Sequence, residues 1–116
     1  MRRGEVWTVR FPLERVEGSE PCGYGPVVIV SSDAYNRSAI QTVLVAVVTG
    51  NLKLERAPGN VLVLADEQNG LRDDSVINVS QVLVVYKSRL LERRGQLDAL
   101  SGELLNAGLR KVFDLP

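Results

Sequence analysis

The chain has 116 residues, 45% of them apolar and 24% charged, which fits one soluble domain with a small core over residues 1–116. Fourteen Lys and Arg balance fourteen Asp and Glu, so binding to nucleic acid would depend on a local patch rather than on net charge. With no His and a single cysteine, Cys22, the composition excludes a Cys–His nucleophile, a zinc ligand set and an intramolecular disulfide.

A first strand is predicted over residues 4–11, where Trp7, Val9 and Phe11 share one side of a period-two pattern. Trp7 is most simply a core or dimer-interface residue, and a stacking platform for a base is the alternative. The polar stretch from residue 13 to residue 25 is longer than most connections, and loops of that length tend to be functional.

The segment from residue 18 to residue 32 organises the chain, because a glycine-rich loop there runs directly into the apolar strand 27–30. Glycines adopt positive φ and let a ligand approach closely, and Pro26 fixes the start of the strand. We therefore expect chemistry where this loop meets the strand.

The middle of the chain is predicted to contain the central strand, over residues 41–49. A turn or single helical turn at 32–38 precedes it, and its continuously apolar, β-branched sequence is typical of a strand covered on both faces. Thr49 closes this strand, a polar loop occupies residues 50–59, and a short strand follows over 60–65.

Residues 75–87 are predicted to form one long strand, or two strands joined by a bend. The polar residues Asn78, Ser80 and Gln81 interrupt this apolar ribbon, which indicates either a bulge or site, or side chains that face solvent. Residues 89–94 mix charges around two leucines and predict a short helix or turn.

An amphipathic terminal helix is predicted with Ser101 as its N-cap, because apolar residues recur at helical spacing: Leu104, Leu105, Leu109 and Val112. Five or six short, mostly consecutive strands with a terminal helix predict a small antiparallel sheet curled into a barrel, since curling removes exposed edges. The predicted class is mainly β with short helices.

Neither a metal site nor a membrane segment is predicted. The carboxylates that could hold a hard cation are better explained as solvating a loop: Asp66, Glu67, Asp73 and Asp74. The basic start of the chain is not followed by an apolar segment, and no run approaches the roughly 20 residues of a membrane span. A cytoplasmic protein is expected.

Taken together, an ordered set of motifs resembles the MazF/PemK family of toxin endoribonucleases. The resemblance covers nearly the whole chain and rests on residues 3–7, 18–21, 26–31, 35–36, 45–51 and 74–81, followed by the segment 95–115, which is similar to the family's last helix. No single motif is specific, whereas their order and spacing are.

The resemblance implies an SH3-like barrel of the type shared with the gyrase poison CcdB, usually as a symmetric homodimer. It also implies sequence-selective cleavage of single-stranded RNA without a metal or other cofactor. Messenger RNA is the expected substrate, with tRNA and rRNA as further candidates. Inhibition would come from a cognate antitoxin whose disordered tail folds along the toxin.

Site residues follow from the same resemblance. Thr49 matches the family's active-site threonine, and without the family match it would be explained as a strand-end threonine that satisfies the backbone. Ser19 is implied to line the same cleft as a further catalytic residue. The residues implied to contact RNA are Glu20, Asn36, Asn78 and Gln81.

One departure from the family pattern bears on activity. Family members usually carry an arginine immediately before the proline that opens strand two, and this chain has Gly25 there. That arginine is expected to grip the scissile phosphate, and loss of such a donor commonly costs on the order of a hundredfold to a thousandfold in rate. A weak or inactive nuclease is therefore expected. Gly50, where many relatives have Ser, is a smaller departure.

Three explanations for Gly25 are open: an engineered inactivation, a naturally degenerate copy, or replacement by a nearby cation such as Arg15, Arg37 or Arg56. A single change at the position that most weakens the chemistry, within an otherwise intact pattern, favours the first.

Two rival functions fit the same barrel. A gyrase poison of the CcdB kind would need a tryptophan among its last residues, and residues 112–116 contain none. A non-catalytic module that binds RNA or an antitoxin is the stronger alternative, because Gly25 preserves the shape of the cleft while removing its key charge.

Overall fold

A computed structural model describes residues 1–11 and 23–116 of the chain. Within them it forms six strands and two α-helices, in the order β1 (Glu5–Arg10), β2 (Tyr24–Ile29), α1 (Asp33–Arg37), β3 (Thr42–Thr49), β4 (Val61–Val63), β5 (Ser75–Tyr86), β6 (Leu90–Gln96) and α2 (Ala99–Phe113). Two 3₁₀ segments, Leu52–Arg56 and Lys87–Arg89, lie in the connections.

The six strands form one antiparallel sheet in the order β4-β5-β3-β2-β1-β6, which curls into a half-barrel. This confirms the predicted mainly β class. The alternation along β3 explains its central place, since Val43, Val45 and Val47 pack on one face while Ala46 and Val48 pack on the other. Both faces of β3 are buried, as its unbroken apolar sequence predicted.

Helix α2 covers one face of the sheet with Leu105 and Leu109. A close approach of two glycines fixes its position: a Cβ on Gly108 would lie 2.1 Å from the carbonyl oxygen of Gly59. Gly59 itself has a φ of 82°, which favours glycine. The connection before β4 therefore touches the backbone of α2 directly.

The two edge strands do not pair with each other within the described residues; the acidic turn after β4 bridges them instead. The Gln96 amide of β6 donates to the carbonyl of Gln68 at 2.9 Å, and the guanidinium of Arg94 donates to the carbonyl of Gly70 at 3.1 Å. The carboxylates of Asp66 and Asp74 accept backbone amides within this region, so both stabilise the turn.

Two predicted elements are wrong in type or start. Residues 89–94 do not form a helix, because Leu90–Gln96 pairs with β1 as an edge strand. Helix α2 begins at Ala99 and not beyond Ser101: Asp98 is the N-cap, and its carboxylate accepts the Ser101 amide at 2.7 Å.

The start of strand two also differs from the prediction. Because β2 already begins at Tyr24, Gly25 is a strand residue paired with Val9 and not part of the preceding loop. In contrast, the interruption at Asn78–Gln81 is a bulge within one long strand. The register of β5 against β3 jumps there, from Val82 opposite Ala46 to Asn78 opposite Val47.

Candidate functional site

The candidate site lies at the end of β3, where Thr49 is half-buried. Thr49 pairs with Val76 of β5, and its hydroxyl oxygen accepts the amide of Asn51 at 3.1 Å. A hydroxyl that accepts through a lone pair still has its hydrogen to donate. Thr49 is therefore placed to donate to a ligand oxygen that approaches the strand end.

Gly25 lies at the same end of the neighbouring strand. Val27 of β2 pairs with Val47 of β3, so Gly25 and Thr49 are the next positions on the same face, just beyond the paired part of the ladder. A Cβ at Gly25 would meet the ring of Phe11 at 3.1 Å, so a larger residue there requires that ring to move by a few tenths of an ångström.

Asn78 and Gln81 bring the bulge of β5 to this site. Asn78 is opposite Val47, on the face that Thr49 shares, and is 7% exposed. The side-chain nitrogen of Asn78 donates to Gln81 Oε1 at 3.1 Å, while its side-chain oxygen accepts from the backbone amide and the hydroxyl of Ser80. We call Gly25, Thr49, Asn78 and Gln81 the strand-end site.

Asn36 lies elsewhere. Its side chain is 5% exposed and bonds twice to Ser31, as acceptor from the hydroxyl and as donor to the carbonyl. The Ser31 hydroxyl in turn accepts the Leu44 amide, five residues before Thr49 along β3, or roughly 17 Å at strand spacing. These contacts explain Asn36 as a clamp that holds α1; its contact with RNA stays a prediction.

The other two predicted site residues, Ser19 and Glu20, lie outside the described residues, as do Arg15 and Cys22. The four residues of the strand-end site are thus the predicted positions that the structure brings together.

One positioning residue, Asn60, is not evident from the sequence, where it is simply the first residue of a predicted strand. The side-chain amide nitrogen of Asn60 donates to the backbone carbonyl of Leu54 at 2.8 Å, and its side-chain oxygen accepts the backbone amide of Val79 at 3.0 Å. It therefore joins the 3₁₀ helix Leu52–Arg56 to β5 beside the bulge. A lone Asn before a strand, directly after Pro-Gly, is a signal that could have indicated such a turn-stabilising role.

Two carboxyl groups with lowered pKa lie away from the strand-end site. Burial raises the pKa of Glu5, but hydrogen bonds from Trp7, Arg93 and the Arg2 amide, with the charge of Arg93, outweigh burial and lower it overall. The backbone and side-chain hydrogen bonds from Ser101 lower the pKa of Asp98. Glu5 begins β1 and Asp98 caps α2, so both groups stabilise structure.

Among residues 1–11 and 23–116, no cluster of three or more Cys, Asp or Glu is arranged to hold a metal ion. None of the described helices is long and apolar enough to cross a bilayer.

Comparison with protein families gives a match over residues 2–113 to the PemK-like, MazF-like toxins of type II toxin–antitoxin systems. Endoribonuclease MazF6 of Mycobacterium tuberculosis is 40% identical over 98 residues, which cover 84% of this chain and 85% of that protein. Endoribonuclease MazF of Staphylococcus saprophyticus is 38% identical over 80% of this chain and 74% of its own length.

Solved structures show the same fold. The Mycobacterium tuberculosis toxin MazF-mt6 superposes with a TM-score of 0.77 at 20% identity, covering 97% of this chain and 98% of that one. A mycobacterial endoribonuclease in complex with its cognate antitoxin superposes with a TM-score of 0.76 at 22% identity, covering 100% of this chain and 97% of its own.

Proposed function

Since the chain belongs to the PemK-like, MazF-like family of toxins of type II toxin–antitoxin systems, we propose that it is a metal-independent endoribonuclease that cleaves single-stranded RNA at a selected sequence. The observation that supports this most is Thr49, which matches the family's active-site threonine and whose hydroxyl oxygen accepts the Asn51 amide, so that its hydrogen can be donated to a ligand. The two curated relatives that are 38% and 40% identical are both endoribonucleases.

In the proposed metal-independent reaction, the RNA's own 2′-hydroxyl is the nucleophile. Its oxygen bonds to the adjacent phosphorus, its proton leaves to a base, and the bond from phosphorus to the 5′-oxygen breaks as that oxygen gains a proton. The products end in a 2′,3′-cyclic phosphate and a 5′-hydroxyl. Thr49 would donate to a phosphate oxygen and stabilise the charge that develops there.

Gly25 makes the proposed reaction slow. A glycine offers no guanidinium to the phosphate, and loss of one such donor costs on the order of a hundredfold to a thousandfold in rate. Arg37, one of the cations considered as a replacement, ends α1, which the Asn36 clamp ties to the opposite end of β3. Its position does not suit that role.

The experiment is incubation of a long single-stranded RNA with excess chain in EDTA, followed by mapping of the product ends. The proposal predicts slow cleavage at a short fixed motif, with cyclic phosphate and 5′-hydroxyl ends. Products with 5′-phosphate ends, or cleavage that EDTA abolishes, would contradict it.

A cognate antitoxin is the proposed protein partner. Support comes from a mycobacterial endoribonuclease of the same fold, which has been solved in complex with its own antitoxin. Suppression of RNA cleavage by the product of the neighbouring gene would test the proposal, and unchanged cleavage at saturating partner would contradict it.

A homodimer is proposed through the part of the sheet that α2 leaves uncovered. These residues lie on the same face as α2 but toward the other end of β3: Val84 pairs with Leu44, Tyr86 pairs with Thr42, and Ile40 lies beside Tyr86. Val84 is 66% exposed, Tyr86 56% and Ile40 47%. Contiguous apolar side chains with this exposure are typical of an interface, and we call them the bare sheet face.

Gly25 favours a second candidate, a module that binds RNA or antitoxin without cleaving. With Gly25, the chain keeps the hydroxyl and the side-chain amides of the strand-end site but has no cation at the position before Pro26. Salt-dependent RNA binding with no cleavage, by both this chain and its Gly25→Arg variant, would support this alternative over an enzyme.

A further inference from the structure

Two cations follow directly after the strand-end threonine. The 3₁₀ helix Leu52–Arg56 begins three residues beyond Thr49 and contains Lys53 and Arg56, both exposed. A 3₁₀ helix has about three residues per turn, so side chains three positions apart lie one above the other. Lys53 and Arg56 therefore form one basic edge, which we call the basic ridge.

The basic ridge is held in place on both sides. At its start, the Asn51 amide donates to Thr49 Oγ1 at 3.1 Å and the Asn51 side chain accepts the Lys53 amide at 3.2 Å. At its end, Asn60 accepts the Val79 amide and donates to the Leu54 carbonyl. The ridge is thus anchored to β3 at Thr49 and to β5 beside the Asn78–Gln81 bulge.

The charges of the ridge are not neutralised within the described residues. The ion pair found among residues 1–11 and 23–116 joins Arg93 to Glu5 and involves neither ridge cation. Glu55 stands between the two cations in sequence but on another side of the 3₁₀ helix, where it lines a groove with Leu104 and Lys111 of α2. Two anchored cations that have no acidic partner in the described part of the chain, beside a hydroxyl donor, suit a chain of phosphates.

We propose that Lys53 and Arg56 bind the phosphates of single-stranded RNA next to Thr49. This inference rests on the proposed function and names the part of that site which holds the RNA backbone. The ridge gives the chain its affinity, whereas the missing cation at Gly25 limits the chemical step. Phosphate contacts carry no sequence information, so the ridge strengthens binding to every RNA equally.

The experiment measures binding of two fluorescein-labelled single-stranded RNAs, polyuridine and a mixed sequence, whose 2′-hydroxyls are methylated so that they cannot be cleaved. Dissociation constants are determined over a range of salt concentrations. The variants are Lys53→Ala/Arg56→Ala and a matched control, Arg37→Ala/Arg110→Ala, which removes two exposed cations from the last turns of α1 and α2.

The ridge variant is expected to bind both RNAs roughly tenfold or more weakly at low salt, and the slope of log affinity against log salt should fall by about 0.7 for each lost phosphate contact. The control should stay within about twofold of the unsubstituted chain, because its two cations lie on α1 and α2, outside the proposed contact with the RNA. A Lys53→Arg/Arg56→Lys swap, which keeps both charges, should retain most of the affinity.

Three results would overturn the inference. Unchanged binding by the ridge variant would rule out phosphate binding by Lys53 and Arg56 but would leave the proposed function standing. Equal losses in the ridge variant and the control would show an effect of net charge. Absence of RNA binding by the unsubstituted chain would overturn the proposed function as well.

Discussion

Glu5 is the residue on which the start of the chain depends. It is 6% exposed, and its carboxylate accepts the Arg2 amide at 2.8 Å, the Trp7 indole at 3.0 Å and the Arg93 guanidinium at 2.7 Å. The carboxylate thereby ties β1 to the edge strand β6. Trp7 is held by this bond and packs against the core, which supports its interpretation as a packing residue.

Replacement of Glu5 by Gln should destabilise the fold by about 1–3 kcal/mol at neutral pH, because an amide nitrogen would face the guanidinium of Arg93. Since the folded-state pKa of Glu5 is lowered, its contribution is fully present above the unfolded pKa of about 4.3 and is lost as pH falls through the folded value. Urea unfolding at several pH values tests this. A difference between the two proteins that stays constant down to acidic pH would contradict it.

Single-residue chemistry was only partly predictable from sequence. Thr49 ends a strand that its β-branched residues define, so its place followed from the pattern. Asn36 looked equally suitable as a polar residue, but its burial depends on how α1 docks on Ser31, which no local pattern encodes. Gly25 was identified by resemblance, whereas its contact with Phe11 needed the fold.

Among the elements, α2 illustrates how one close approach fixes a helix. Its two glycines differ in surroundings: a Cβ at Gly108 would lie 2.1 Å from the Gly59 carbonyl oxygen, whereas a Cβ at Gly102 would meet nothing within 4 Å. One is required for packing, and the other weakens the helix.

Gly108→Ala should therefore destabilise the protein by about 1–3 kcal/mol, because the helix must move away from the connection before β4. Gly102→Ala should stabilise it by about 0.5–1 kcal/mol through helix propensity. Thermal and urea unfolding of the two variants provide the comparison. Equal effects of the same sign would show that the glycine contact does not position α2.

The predicted type of the segment that forms β6 was wrong for a physical reason. Its sequence, two leucines followed by charges and Gly95, has neither clear alternation nor β-branched residues. It is a strand because β1 offers it a ladder, and that pairing joins residues far apart in sequence. The long strand β5 was predictable because its apolar run is strong, and its bulge because three polar residues interrupt it.

At the scale of the whole molecule, the bare sheet face predicts self-association. Val84→Arg should convert a homodimer into a monomer, because it introduces a charge into the centre of the proposed interface. The matched control is Leu91→Arg, because that leucine is 50% exposed but lies on the edge strand β6, three strands away from β3. Sedimentation velocity reports both, and a dimer that survives Val84→Arg would exclude this face.

The most direct measurement is the single-turnover rate of cleavage of single-stranded RNA in EDTA, with this chain, Gly25→Arg and Gly25→Gln compared at saturating protein. Glutamine tests the contact with Phe11 and the added length without the charge. An endoribonuclease limited by Gly25 predicts that only the arginine variant gains, by on the order of a hundredfold to a thousandfold, with products that end in cyclic phosphate. Equal rates for all three proteins, or no cleavage by any of them, would contradict it.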